Sequence, residues 1–102
     1  MDVRMSSAKQ SNGKTEWHLI PWRELEEVAR VFMYGKSKYS EDDWKNVENK
    51  RSVYFDAAMR HLTAWWNGEK KDESGFSHLA HATCCLLILL WDKNNKDGGS
   101  ND

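Results

Sequence analysis

Apolar residues along the chain fall into three groups with helical spacing, separated by polar stretches. In the first, Leu25, Val28, Ala29 and Phe32 recur at i, i+3, i+4 and i+7, one stripe of a helix. The spacing predicts a helix from about Pro21 to Lys38. Pro21 suits the first turn, where a missing N–H costs nothing. Glu24, Glu26 and Glu27 complement the positive end of the helix dipole. The segment SEDDWKNVENK is a polar loop holding Trp44. A second stripe, Phe55, Met59, Leu62 and Trp66, predicts a helix capped near Ser52 and ended by Gly68. After the connection GEKKDESG, with Asp72 or Ser74 as cap, a third helix is expected from about Phe76 to Asp92. No segment alternates long enough to read as a strand. The fold class is therefore all-α, a small bundle of three main helices.

The third helix is apolar nearly all round beyond its start, the mark of a helix buried on most sides. Two other helices cannot enclose it, so completion by oligomerisation is expected, as a homodimer or homotetramer. The domain layout is a flexible N-terminal arm over 1–15, a single all-α domain over 16–92, and a disordered tail over 93–102.

Composition narrows the partners. A chain of 102 residues makes one domain. A net charge of −1 offers no broad field for a nucleic-acid polymer or a membrane surface. The apolar run Cys84–Trp91 is far shorter than the ~20 residues needed to span a bilayer. Cys84 and Cys85 are neighbours on a helix and point apart, which suits reduced thiols and a cytoplasmic location.

The chemistry sits at the start of the third helix. His78 and His81 lie one turn apart on one face. The positive dipole end disfavours imidazolium there, and neutral imidazole is the form that ligates metal. His61 lies late in the second helix, close to the connection. If the two helices are antiparallel neighbours, His61 is level with His78 and His81. The three form a candidate metal or phosphate site, completed by Glu27 or Glu73. The competing reading is that each histidine hydrogen-bonds the adjoining loop. Arg60 is a phosphate candidate, or else the partner of Asp56 in a helical ion pair. In YGKSKY, Lys36 and Lys38 could clamp phosphates, with Tyr39 or Trp44 stacking on a base; a solvated helix end is the alternative.

Taken in order, LIPWRELEEVARVFMYGKSKY, DDW, YFDAAMRHLTAWWNGE and DESGFSHLAHA resemble the small phage-type dATP/dGTP diphosphohydrolases, relatives of the MazG-like all-α nucleoside triphosphate pyrophosphatases. The resemblance implies an oligomeric enzyme that splits a (deoxy)purine nucleoside triphosphate into a monophosphate and pyrophosphate. A divalent metal, Mg²⁺ or Mn²⁺, would assist, and a phage origin would place the protein in the host cytoplasm. Beside it, the residues themselves offer Glu27, His61, His78 and His81 as catalytic candidates. Lys36, Lys38, Tyr39, Trp44 and Arg60 would bind phosphates and base, and His61, His78, His81 and Glu73 would hold metal. MazG-type enzymes bind Mg²⁺ through ExxE and ExxD motifs on successive helices. Here histidines stand where the second acidic motif is expected. Imidazole suits softer ions than Mg²⁺, or the histidines grip phosphate directly. Two other readings stay open: a non-catalytic protein that sequesters a nucleotide, and a purely structural helical oligomer.

Overall fold

The computed structural model describes residues 12–99. Three α-helices follow one another: α1 Trp22–Lys38, α2 Lys50–Trp66 and α3 His78–Gly99. Short 3-10 turns precede the first two, at Trp17–Leu19 and Asp43–Asn46. Among the described residues the extended pairing is a single bridge, Lys71 to Ser77. The all-α class holds. No helix of the described residues is long and apolar enough to cross a membrane. The expected N-terminal arm lies outside the described residues up to position 11.

Helix limits differ from the sequence reading at three places. α2 begins at Lys50, capped by Asn49 in the left-handed region (φ 57°). Asn tolerates that conformation better than most residues. Ser52 is inside the helix, its hydroxyl donating to the Asn49 carbonyl at 3.3 Å. α3 begins at His78, two residues later than expected, because Ser77 is its cap: the Ser77 hydroxyl accepts the Ala80 N–H at 2.9 Å. α3 also continues to Gly99, so the stretch from Lys93, expected to be a disordered tail, is helical that far. The Lys96–Asp92 pair at 3.2 Å spans this polar extension.

The core lies between α1 and α3. Val28 and Val31 meet Ala80, Cys84 and Ile88, with Leu25, Phe32, Trp44, Tyr54 and Phe76 packed around them. Ala29, expected in this stripe, is exposed; Val31 takes the inward position. Trp44 ties the loop down, edge-on to Phe32 (6.0 Å) and to Trp91 (5.0 Å). Between α2 and α3 the packing is tighter. Ala58 and Ala82 are 3% and 2% exposed and lie outside the α1–α3 cluster. Small side chains there let the two helices approach closely.

The expected α2 stripe points the other way. Phe55 (57% exposed), Met59 and Trp66 (79%) face outward, while Tyr54, Ala58 and His61 turn inward. On α3, Leu79, Leu86 and Leu90 are exposed as well.

Candidate functional site

The connection between α2 and α3 carries the site. α2 ends in a Schellman turn: the Gly68 N–H donates to Trp65 O (2.9 Å) and the Glu69 N–H to Ala64 O (3.0 Å). Gly68 has φ 98°, which only glycine adopts without strain. That turn delivers Glu69 beside the start of α3. The loop then folds on itself. Asp72 N–H donates to Phe76 O (2.8 Å), Gly75 N–H to Asp72 O (2.8 Å), and His78 N–H to Lys70 O (2.9 Å). Gly75, at φ 92°, makes the tight reversal. Within it the Asp72 carboxylate accepts the Ser74 N–H at 3.0 Å.

The three histidines converge, as the antiparallel arrangement requires. His61 Nδ1 is 2.9 Å from His78 Nδ1. The His61 ring stacks on His81 with centroids 4.6 Å apart and planes 8° from parallel. His78 Nε2 lies 3.0 Å from Glu69 Oε2. His81 Nε2 lies 2.8 Å from the Ser74 hydroxyl and 3.7 Å from Asp72 Oδ2. The ligand atoms of His61, Asp72 and His78 all fall within 4.8 Å of one another. Two imidazoles and a carboxylate at that spacing fit a divalent cation. Asp72, not Glu73, supplies the carboxylate; Glu73 is exposed.

Burial first, and the neighbouring His81 and His78 next, hold His61 below the ordinary histidine value, although the Asp72 charge opposes them. Burial does the same to His81 against the pull of Asp72. Both rings are thus neutral near pH 7. Burial works upward on Asp72, but the Ser74 backbone and hydroxyl hydrogen bonds, with His81 and His61, bring it below the usual carboxylate range. Burial pushes the Cys84 thiol up to about 12, and that of Cys85 upward too. Both are free, buried and unreactive.

His81 also belongs to the wall of a cavity of about 720 Å³ between the end of α1, the following loop and α3. Lys36, Lys38, Tyr39 and Trp44 line the same cavity. Its size suits a nucleotide-sized guest. The Lys38 ammonium sits over the rings of Tyr34 (5.6 Å) and Tyr39 (5.5 Å). Tyr39 is exposed and has a free face; Trp44 is held by Phe32 and Trp91 and forms part of the wall. Lys36 pairs with Glu41 at 3.4 Å, both exposed.

Besides Glu73, two expected residues stand outside the cluster. Glu27 lines a separate groove with Ile20, Leu25, Ser77 and Leu79, because Val28 and Val31 rotate α1 so that Glu27 faces away. Arg60 is exposed and forms no ion pair with Asp56; its charge reaches His61 and Cys85. Sequence reasoning undervalued Glu69, Asp72 and Ser74. The signal was their place in the short connection beside the histidines.

The model of the family described as dATP/dGTP diphosphohydrolase, N-terminal, matches residues 4–101. The chain belongs to this family. A dATP/dGTP diphosphohydrolase of Salmonella phage PMBT28 is 37% identical over 93 residues, 90% of this chain. The chain spans 31% of that relative's length. No solved structure matches significantly. The string from Arg60-His61 through Gly68-Glu69 to His78 and His81, which builds the histidine cluster, lies inside the matched span.

Proposed function

We propose that this chain serves a (deoxy)purine nucleoside triphosphate diphosphohydrolase, which splits its substrate into a monophosphate and pyrophosphate. One observation carries the reading: His81 is at once a member of the histidine cluster and part of the wall of the cavity that holds Lys36, Lys38 and Tyr39. Binding groups and cluster therefore share one guest. Lys36 and Lys38 hold phosphate oxygens, and the open face of Tyr39 takes the base. Neutral His81 accepts a proton on the cavity side while Ser74 and Asp72 hold its Nε2 edge. His61, His78 and Asp72 would hold a divalent cation, which would supply neutralisation of phosphate charge and a more acidic water.

Incubating the purified chain with each deoxynucleoside triphosphate and Mg²⁺ or Mn²⁺ tests this by pyrophosphate release. A nucleotide-binding titration runs in parallel. Release of pyrophosphate that Lys38→Ala and His81→Asn abolish, in variants that circular dichroism shows to be folded, is the expected result. Neither turnover nor binding by the wild type would refute it. The second reading, nucleotide sequestration, is favoured by a donor set of two imidazoles and one carboxylate in place of paired acidic motifs. Tight binding without turnover is its outcome.

The proposed assembly is a homodimer. Phe55, Met59, Leu62 and Trp66 on α2, and Leu79, Thr83, Leu86 and Leu90 on α3, are spaced four, three and four residues apart. That is the repeat of a coiled-coil seam. His61 and His78 face each other across the two helices. Both stripes are offset in the same rotational sense from those rings, so on antiparallel helices they share one side of the hairpin. Phe55 and Leu89 already border one groove. A second copy, docked by a two-fold axis, would complete a four-helix bundle and cover both stripes.

A further inference from the structure

We propose that His61, His78 and Asp72 form a two-nitrogen, one-oxygen site selective for a first-row transition-metal dication over Mg²⁺, and that Glu69 is its positioning residue. The inference deepens the reading above, in that it rests on a cation at the cluster.

The proton positions follow from the partners. A carboxylate only accepts, so the His78 Nε2 facing Glu69 Oε2 at 3.0 Å carries the proton. In the neutral ring this leaves a lone pair on Nδ1, the nitrogen 2.9 Å from His61 Nδ1. His78 is 5% exposed, so that lone pair is withdrawn from water. Without a cation, the His61 Nδ1–H donates to it. With metal–imidazole bonds of about 2.0–2.1 Å, two ligand nitrogens at a right angle sit about 3 Å apart. The 2.9 Å spacing of the pair is close to that separation. Cation binding requires only that the His61 proton move to its Nε2, which has no protein partner among the described residues. Asp72 brings the third donor, its carboxylate oriented by the Ser74 N–H.

The donor types decide the ion. Mg²⁺ demands oxygen ligands in a near-octahedral shell and keeps its waters, whereas imidazole suits Co²⁺, Ni²⁺ and Zn²⁺. Glu69 touches none of the bound atoms in this scheme. It locks the His78 tautomer and ring, as a carboxylate behind a ligating histidine does elsewhere. Its own side chain is largely exposed, so replacing it leaves the core intact.

The test is a titration of the metal-stripped full chain with Co²⁺, read by visible absorption, followed by competition with Zn²⁺, Mn²⁺ and Mg²⁺. No nucleotide is present, so its failure is separate from failure of the hydrolase reading. We expect a nitrogen-ligated Co²⁺ spectrum that Zn²⁺ abolishes and excess Mg²⁺ leaves in place. His61→Ala and Asp72→Asn should lose it, and His18→Ala should keep it. Melting curves of each variant separate loss of ligand from loss of fold. Glu69→Ala should weaken Co²⁺ roughly 10–100-fold, and Glu69→Gln, which keeps an acceptor, should recover most of that. A featureless titration, or equal competition by Mg²⁺, would overturn the site. Unchanged Co²⁺ affinity in Glu69→Ala would overturn the positioning role.

Discussion

Replacing Ala58 by leucine tests the tight contact on which the site depends. Ala58 is 3% exposed on α2, between this helix and α3. Leucine adds three carbons where no space is left, and overpacking of this kind costs about 1–3 kcal/mol. Helix propensity contributes little, since Ala and Leu rank close together. For a domain of this size each kcal/mol moves the melting temperature by about 4–8 °C. The expected drop is therefore about 4–24 °C, measured by far-UV circular dichroism. The same strain pushes α2 from α3 and opens the 2.9 Å His61–His78 pair, so Co²⁺ binding weakens along with stability. Ala29→Leu is the control. Ala29 belongs to the stripe suggested by sequence but is exposed in the fold, so its change should stay within about 0.5 kcal/mol. Wild-type melting in Ala58→Leu, or a large drop in Ala29→Leu, would refute the described packing.

Three further outcomes follow from the geometry. His61 and His81 are held below the ordinary histidine value of 6.5, so their contribution to stability is complete above it. It is lost as pH falls through 6.5 and the lower folded-state values; Asp72 adds a second loss below its ordinary 3.8. Melting temperatures across the acid range should fall first in the histidine window, and His81→Asn should flatten that step. Leu86→Asp, at the centre of the exposed α3 stripe, should convert a dimer to a monomer by light scattering without unfolding it; a wild-type monomer would refute the dimer. Gly75→Ala places a side chain at φ 92°, at a cost of about 1–2 kcal/mol. It should also displace Asp72, so Co²⁺ affinity falls more than the modest melting shift alone implies.

Helix existence was legible because the first two helices repeat their apolar residues with a clear period and the third is one long apolar run. Which face turns inward was legible only where one face is apolar. α2 has two: Phe55, Met59 and Trp66 on one side, and Tyr54, Ala57 and Ala58 on another. Residue size favoured the first, yet the small residues are buried, since close approach to α3 needs them. The histidine convergence could be read from chain order, because a short connection forces α2 and α3 antiparallel. The choice of Asp72 over Glu73 could not. It depends on the Gly75 reversal and the Lys71–Ser77 bridge, which decide which of two adjacent carboxylates turns inward. The rotation of α1 was equally hidden, since Glu27 and Val28 are neighbours and only packing selects Val28.

The connection does more than join two helices. Every polar group of the cluster outside the histidines comes from it: Glu69, Asp72 and Ser74. A loose loop would have to order these side chains at binding, losing about 1–2 kcal/mol of backbone entropy for each residue fixed. Here that ordering is done on folding, by the Schellman turn at Gly68, the reversal at Gly75 and the Ser77 cap. Those same devices start α3 at His78, which sets both His78 and His81 in its first turns, level with His61. Donor placement and the helix start therefore share one cause. A loop of the same length with different turn residues would keep the three helices but scatter the donors. This makes the segment from Gly68 to Ser77, rather than the histidines alone, the part of the sequence that encodes the site.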